Sequence, residues 1–258
     1  MIRWTTAFVD MPPASFEAGV AFWQRVTGTE RSAPRGASLQ FATLVPPDGD
    51  GYLRVQRHDG PARIHLDLHV DDVAAVADAA VRLGATLVAD LGYRILRSPT
   101  GFVFCVVPFR GECEIPVPVV SPAGTCRVDQ LALDIPAAAN APEALFWAGL
   151  TGWARRQASR PEFELLDRPP APAATELPMR ALLHRLGPTD PRRHASAHLD
   201  IAGGDRVAAL AEQHCAWGAE VLRVEEHWIT LLDPAGLPYC LTRRDPFTGA
   251  LPVSRPAA

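Results

Sequence analysis

The chain has 258 residues, is 48% apolar and 21% charged, and carries a formal net charge of −4. That composition supports a packed core and excludes disorder as the default, while arginines scattered among acids offer no basic field for nucleic acid. All 25 basic residues are arginine, which removes Schiff-base and lysine-base chemistry from consideration.

The opening Met1-Ile2-Arg3-Trp4-Thr5-Thr6 lacks the pattern of a secretory leader, and no apolar run reaches the length of a bilayer span. A cytoplasmic protein without membrane contact is the expectation. Thr6-Ala7-Phe8-Val9-Asp10 reads as a strand closed by Met11-Pro12-Pro13. From Ser15, residues Phe16, Val20, Phe22, Trp23 and Val26 fall at helical spacing, with Gly28 as the stop. Leu39 to Leu44 and Leu53 to Arg57 alternate apolar and polar around the turn chemistry of Pro46-Pro47-Asp48-Gly49-Asp50-Gly51, a hairpin pattern.

Ile64-His65-Leu66-Asp67-Leu68-His69-Val70 alternates strictly, which in a strand puts His65, Asp67 and His69 on one face and the aliphatics on the other. Asp71-Asp72 then offers a cap for a helix through Val73, Val76, Ala80 and Leu83, closed by Gly84. Strands around Tyr93 to Leu96 and Phe102 to Val107 flank the turn Ser98-Pro99-Thr100-Gly101.

The same order then repeats. Phe22-Trp23 with Thr27-Gly28 returns as Phe146-Trp147 with Thr151-Gly152, His65-Leu66-Asp67 as His198-Leu199-Asp200, and Pro99-Thr100-Gly101 with Cys105 as Pro234-Ala235-Gly236 with Cys240. A duplicated unit is expected: a first module over 1–108, a Pro-rich linker over 109–126, a second module over 127–245 and a flexible tail over 246–258. The stretch Arg168 to Pro178 replaces a tight hairpin by a longer Pro-rich loop, expected to be mobile or to cover the site. Five cysteines, an odd number with no CxxC pair, fit reduced thiols.

His65, Asp67 and His69 form the sharpest polar cluster, because a neighbouring carboxylate orients an imidazole and raises its pKa for base chemistry or anion binding. The competing reading is a solvated face or one satisfied by cross-strand hydrogen bonds, and the same pair of readings applies to His198 and Asp200. Tyr93 and Trp228 occupy equivalent places, as do Gln56 and His184; each pair either lines a ligand cavity or packs toward the helices. The repeated Phe-Trp pairs read as helix-on-sheet packing. Glu225-Glu226-His227 reads as a solvated turn, and Gly203-Gly204 as loop geometry outside any nucleotide-binding context.

The FW(x)3TG helix end, the HLDL strand leading through Asp71-Asp72 to Leu83-Gly84-Ala85, and the Asp233-Pro234-Ala235-Gly236 turn before Tyr239-Cys240 resemble the vicinal oxygen chelate superfamily. That group holds glyoxalases, extradiol dioxygenases and bleomycin-resistance proteins, and the likeness is strongest to its glyoxalase-like domains. The resemblance implies an α+β fold of two tandem βαβββ modules forming an eight-stranded, cup-shaped mixed sheet with helices outside.

The superfamily's metal positions fall on Thr6, His65 and Cys105 in the first module and on Gln130, His198 and Cys240 in the second. Thr and Cys replace the carboxylates that hard divalent ions prefer, so no cofactor is expected. The alternative is a divalent metal near Gln130, His198 and Cys240, a set compatible with zinc. Ligand contacts are expected from His65, Asp67, His69, Gln56, Tyr93, Cys105, Gln130, His184, His198, Asp200, Trp228 and Cys240. The implied function is capture of a small organic molecule in the cup, in the manner of bleomycin-resistance proteins, by a monomer or homodimer. An enzyme using His65 or His198 with its neighbouring Asp is the alternative.

Overall fold

A computed structural model describes residues 1–170 and 176–251. The first module runs β1 (Ile2–Met11), α1 (Pro13–Thr27), β2 (Glu30–Arg31), β3 (Phe41–Val45), β4 (Leu53–Arg57), β5 (Arg63–Val70), α2 (Val73–Arg82), β6 (Thr86–Asp90), β7 (Arg94–Arg97) and β8 (Val103–Pro108). After β9 (Val119–Ser121), the second repeats it: β10 (Gly124–Ile135), α3 (Asn140–Thr151), β11 (Ala154–Gln157), β12 (Phe163–Asp167), β13 (Arg180–Arg185), β14 (Ser196–Ala202), α4 (Val207–Ala216), β15 (Glu220–Val224), β16 (Trp228–Leu232) and β17 (Pro238–Thr242).

The class is α+β with mixed sheets, as the resemblance implies, but the βαβββ unit occurs twice within each module. One module therefore completes its own sheet: β2-β3-β4-β1-β5-β8-β7-β6 in the first, and β11-β12-β13-β10-β14-β17-β16-β15 in the second, with β9 added beside β10. The chain holds two cups where a single sheet was expected. The physical reason is edge pairing: the central strands β1 and β5 run antiparallel and join two four-stranded halves inside one module.

Local chemistry explains the elements. Gly28 and Gly152 end α1 and α3 in the left-handed conformation (φ 61° and 69°), where a side chain would strain the backbone. Asp72 caps α2 by accepting from Ala75 N at 2.9 Å. In β14 the alternation sends Leu199 and Ile201 into the core and turns His198 and Asp200 to the opposite face.

The helices interlock the modules. Trp23 of α1 donates its indole N–H to Asp233 of the second module at 2.8 Å, and its ring lies 5.5 Å from Tyr239. In return Phe146 and Trp147 of α3 pack on Phe104 of the first module at 5.8 and 5.2 Å. The repeated Phe-Trp pairs are thus buried, across the module boundary as well as within it, and fully burying a side chain such as Phe stabilises by roughly 1.5–3 kcal/mol.

Two segments differ from their expected character. The Pro-rich linker is pinned: Asp50 accepts from the Cys113 and Glu114 amides and Asp48 from Val117, while β9 pairs with β10, which begins at Gly124 inside the expected linker. Residues 246–251 form a turn, not a loose tail, because Asp245 accepts from the Phe247 and Thr248 amides and Arg180 donates to the Thr248 and Gly249 carbonyls. The ends of the Arg168 to Pro178 loop line a cavity of about 670 Å³ beside Arg127 and Asp129; its centre, 171–175, lies outside the described residues, as does 252–258 of the tail. Among the described residues no helix is long and apolar enough to cross a membrane, and no cysteine is paired.

Candidate binding site

The internal repeat lets strand register align the two cups residue by residue. Thr6 and Gln130 face Asp67 and Asp200, Phe8 and Ala132 face His65 and His198, and Cys105 and Cys240 lie beside the same two aspartates. Across β4 and β13 the matched residues are Arg54 with Leu182 and Gln56 with His184.

In the second cup one face of the sheet encloses a cavity of about 850 Å³. Phe163, Leu165, Leu182, Trp228 and Leu232 supply apolar walls from both halves of the sheet, and Gln130, His198, Asp200, Thr230 and Cys240 a polar floor. That mix of an apolar wall with a few convergent polar groups is what a small-molecule site requires.

Asp134, at the end of β10, organises one side. Its carboxylate accepts from His184 Nδ1 at 2.7 Å, from His198 Nδ1 at 3.0 Å and from Arg192 at 3.0 Å. Burial alone would push the Asp134 carboxyl up, but the His198 charge and the two imidazole hydrogen bonds outweigh it and hold the carboxyl well below the usual range. For His198 burial works downward, and Asp134, Cys240 and Asp200 outweigh it, raising the imidazole well above its ordinary value.

Asp200 anchors the other side. Gln130 donates to it at 2.6 Å, His198 Nε2 lies 3.3 Å from its second oxygen, and Arg244, paired with Asp129 at 2.6 Å, approaches to 3.6 Å. Burial raises the Asp200 carboxyl, yet His198, Arg244 and Gln130 together keep it below its usual value. Asp134 therefore holds one edge of the His198 ring by a hydrogen bond, and Asp200 lies 3.3 Å from the other.

The first cup carries the same frame and is filled. The Phe8 ring stacks on His65, centroids 4.4 Å apart and planes 12° from parallel, with Phe41 edge-on at 6.0 Å and the Arg54 guanidinium 5.6 Å away. Phe8, His65, Asp67 and Cys105 are all buried. Asp10 holds His65 Nδ1 and Arg63 at 2.9 Å each. Here burial wins at Asp67, whose carboxyl is raised against the opposing His65 and Arg54, and it pushes the Cys105 thiol up as well.

Of the twelve candidate contacts read from the sequence, Gln130, His184, His198, Asp200, Trp228 and Cys240 line the cavity of the second cup. The other six belong to the first module: His65, Asp67 and Cys105 cluster beneath Phe8, and His69 bonds Thr6, the residue paired with Asp67, at 2.9 Å and lies 3.3 Å from Glu112. Gln56 and Tyr93 are half-buried there. Sequence reasoning passed over Asp134, Phe163, Leu182 and the filling role of Phe8. A usable signal existed for the first, because Asp10 and Asp134 both stand near the end of a module's first strand, shortly before a proline.

His198, Asp200 and Cys240 each offer one donor atom, all within 4.8 Å of one another, and His65, Asp67 and Cys105 repeat the arrangement. Gln130, beside this set, donates its amide nitrogen to Asp200 and keeps its carbonyl oxygen as a further donor atom. An imidazole, a carboxylate and a thiol fit zinc, whereas the hard ions prefer oxygen-rich sets. The Asp134 hydrogen bond to His198 Nδ1 leaves Nε2 for such an ion, as metal-ligating histidines require.

The glyoxalase-like domain family matches the chain twice, at residues 6–107 and 130–242. Among solved structures, 2,2',3-trihydroxybiphenyl 1,2-dioxygenase from Sphingomonas wittichii is similar with a TM-score of 0.62 at 15% identity, over 94% of this chain and 90% of that one. The Mn(II)-bound glyoxalase from Novosphingobium aromaticivorans has a TM-score of 0.59 at 17% identity, over 99% and 87%. The 2,3-dioxygenase LapB from Pseudomonas sp. KL28 has 0.60 at 13%, over 96% and 93%. At such identities the likeness shows the fold alone. No curated protein sequence matches.

Proposed function

The chain belongs to the glyoxalase-like domain family, and from that premise we propose that its second module captures a small organic molecule while its first serves as a closed structural counterpart. One observation carries this reading: a cavity of about 850 Å³ opens over His198 in one cup, where the matched space in the other is taken by protein. The apolar walls supply affinity by burying apolar surface, at roughly 25 cal/mol per Å² before the cost of immobilising the ligand. Thr230 and His198, the latter fixed by Asp134, supply orientation. Sequestration of a drug or secondary metabolite fits these features, since binding needs a shaped, mostly apolar wall and no reactive centre.

The test is calorimetric titration of the chain with a panel of uncharged amphiphilic compounds. Saturable one-to-one binding is expected with at least one compound. The substitution Leu182→Arg, which installs the residue that the first cup carries at Arg54, is expected to weaken it tenfold or more. Binding unaffected by that substitution places the ligand elsewhere and ends the reading.

A second reading has its own observation, the His198, Asp200 and Cys240 donors within 4.8 Å. In it these residues hold a zinc ion and the family's enzymatic branch applies. Zinc, when bound, supplies a Lewis acid for a substrate oxygen. The chain's own part is to keep His198 oriented through Asp134, with the Nε2 proton released on binding. Metal analysis after growth with zinc separates the two: one equivalent, lost in both Cys240→Ser and Asp200→Asn, favours the enzyme, and substoichiometric metal indifferent to both favours capture.

A further inference from the structure

The repeat contains its own guide to what the open cup receives. In the first cup a benzyl ring, that of Phe8, lies flat on His65 and meets the edge of Phe41. In the second cup His198 and Phe163 stand at the matched positions, by the register of β10 with β14 and of β12 with β13, but the residue that would carry the ring is Ala132. The side chain that crosses the first cup stops at a methyl in the second; Ala132 is itself buried, and the cavity opens against its neighbours His198, Leu182 and Phe163.

We infer that the second cup holds a seat for a planar aromatic ring, stacked on the His198 imidazole and flanked edge-on by Phe163, in the place that Phe8 fills in the first cup. This inference rests on the reading of the second cup as a small-molecule site and names the chemical class it takes. Three further features fit. Trp228 lies 5.9 Å from Phe163 at 79° and extends the aromatic wall. Leu182 replaces Arg54, so the residue at that matched position beside the seat is aliphatic. Asp134 holds the imidazole at Nδ1 and Asp200 stands 3.3 Å from Nε2, which sets the angle at which the ring's face is presented. Stacked and edge-on aromatic pairs prefer this geometry over the same area of aliphatic contact.

Calorimetric titration of the full chain with phenol, indole and cyclohexanol tests it. Phenol and indole are expected to bind once per chain, and cyclohexanol, the saturated counterpart of phenol, roughly two- to tenfold more weakly. Ala132→Phe should abolish aromatic binding by supplying the ring from within. Phe8→Ala should add a second aromatic site per chain, and His198→Leu should erase the difference between phenol and cyclohexanol. Equal binding of phenol and cyclohexanol to the native chain overturns the aromatic seat while leaving small-molecule capture standing. So does aromatic binding that survives a folded Ala132→Phe. Should Ala132→Phe and Phe8→Ala fail to fold, the phenol-to-cyclohexanol ratio and its response to His198→Leu decide alone. No binding of any probe to the native chain overturns both the seat and the capture reading beneath it.

Discussion

Two cups built from one repeated unit, with the same His, Asp and Cys at matched registers, differ in what stands above the histidine. The first holds Phe8 and Arg54; the second holds Ala132 and Leu182, and a cavity. A polar cluster is therefore not by itself a site. His65, Asp67 and Cys105 are as closely gathered as their counterparts, yet burial governs them and pushes the Asp67 carboxyl and the Cys105 thiol up. In the second cup Arg244 and Gln130 lean on Asp200, and two histidines with Arg192 lean on Asp134, so charge survives at the cavity floor.

The comparison breaks most visibly at Phe8. Phe8→Ala removes a buried ring that contacts His65, Phe41 and Arg54, and should cost about 4 kcal/mol of stability, in the middle of the range for Phe→Ala in cores. Chemical denaturation measures it. A loss below about 1 kcal/mol would mean that the first cup is as open as the second, and the division of labour would fail.

Asp134→Asn comes next. It leaves His184, His198 and Arg192 around a neutral amide, and breaking a buried pair of this kind costs about 3–5 kcal/mol. The low end, about 3 kcal/mol, is expected because the amide oxygen still accepts one hydrogen bond. The same experiment sharpens the comparison through Asp10→Asn, where only His65 and the half-exposed Arg63 lose their partner, and a smaller loss is expected. Equal losses would show that the extra charge around Asp134 contributes nothing.

Much of this was legible in the sequence, for reasons that can be named. The period-two alternation of Ile64 to Val70 and of Ala197 to Ile201 fixed which side chains share a face, and backbone geometry enforces that rule wherever a strand forms. The glycine stops at Gly28 and Gly152 and the Asp72 cap were readable because each meets a local backbone need. The number of sheets was not, since β-strand partners are chosen by tertiary pairing and the two halves of one module share little sequence. Nor was the emptiness of one cup, which turns on Phe8 against Ala132 in two strands that read alike as apolar runs. Occupancy of a concave face is a volume property, and volume is resolved only when four or five strands meet.

The smallest expected effect tests the back of the sheets, where the modules also differ. Module one packs Ala80 of α2 near its own sheet, with Phe104 against the α3 aromatics; at the matched positions module two places His214 and Tyr239, bonded at 3.0 Å, under Phe22. Burial lowers the His214 imidazole from its ordinary 6.5 to about 4, so it is neutral in the folded chain at pH 7. Between pH 6.5 and about 4 the unfolded chain takes up a proton that the folded chain refuses, and stability falls as pH falls. Each pH unit across that window removes about 1.36 kcal/mol, so the loss approaches about 3 kcal/mol by pH 4 and then levels off. His214→Ala, which copies the first module, should remove that part of the acid sensitivity while lowering stability at pH 7 through the lost packing. Denaturation curves of both chains at pH 7, 5.5 and 4 measure it. Parallel losses in the two would assign the acid response to other groups and leave the contrast between the modules confined to the face that carries the cavity.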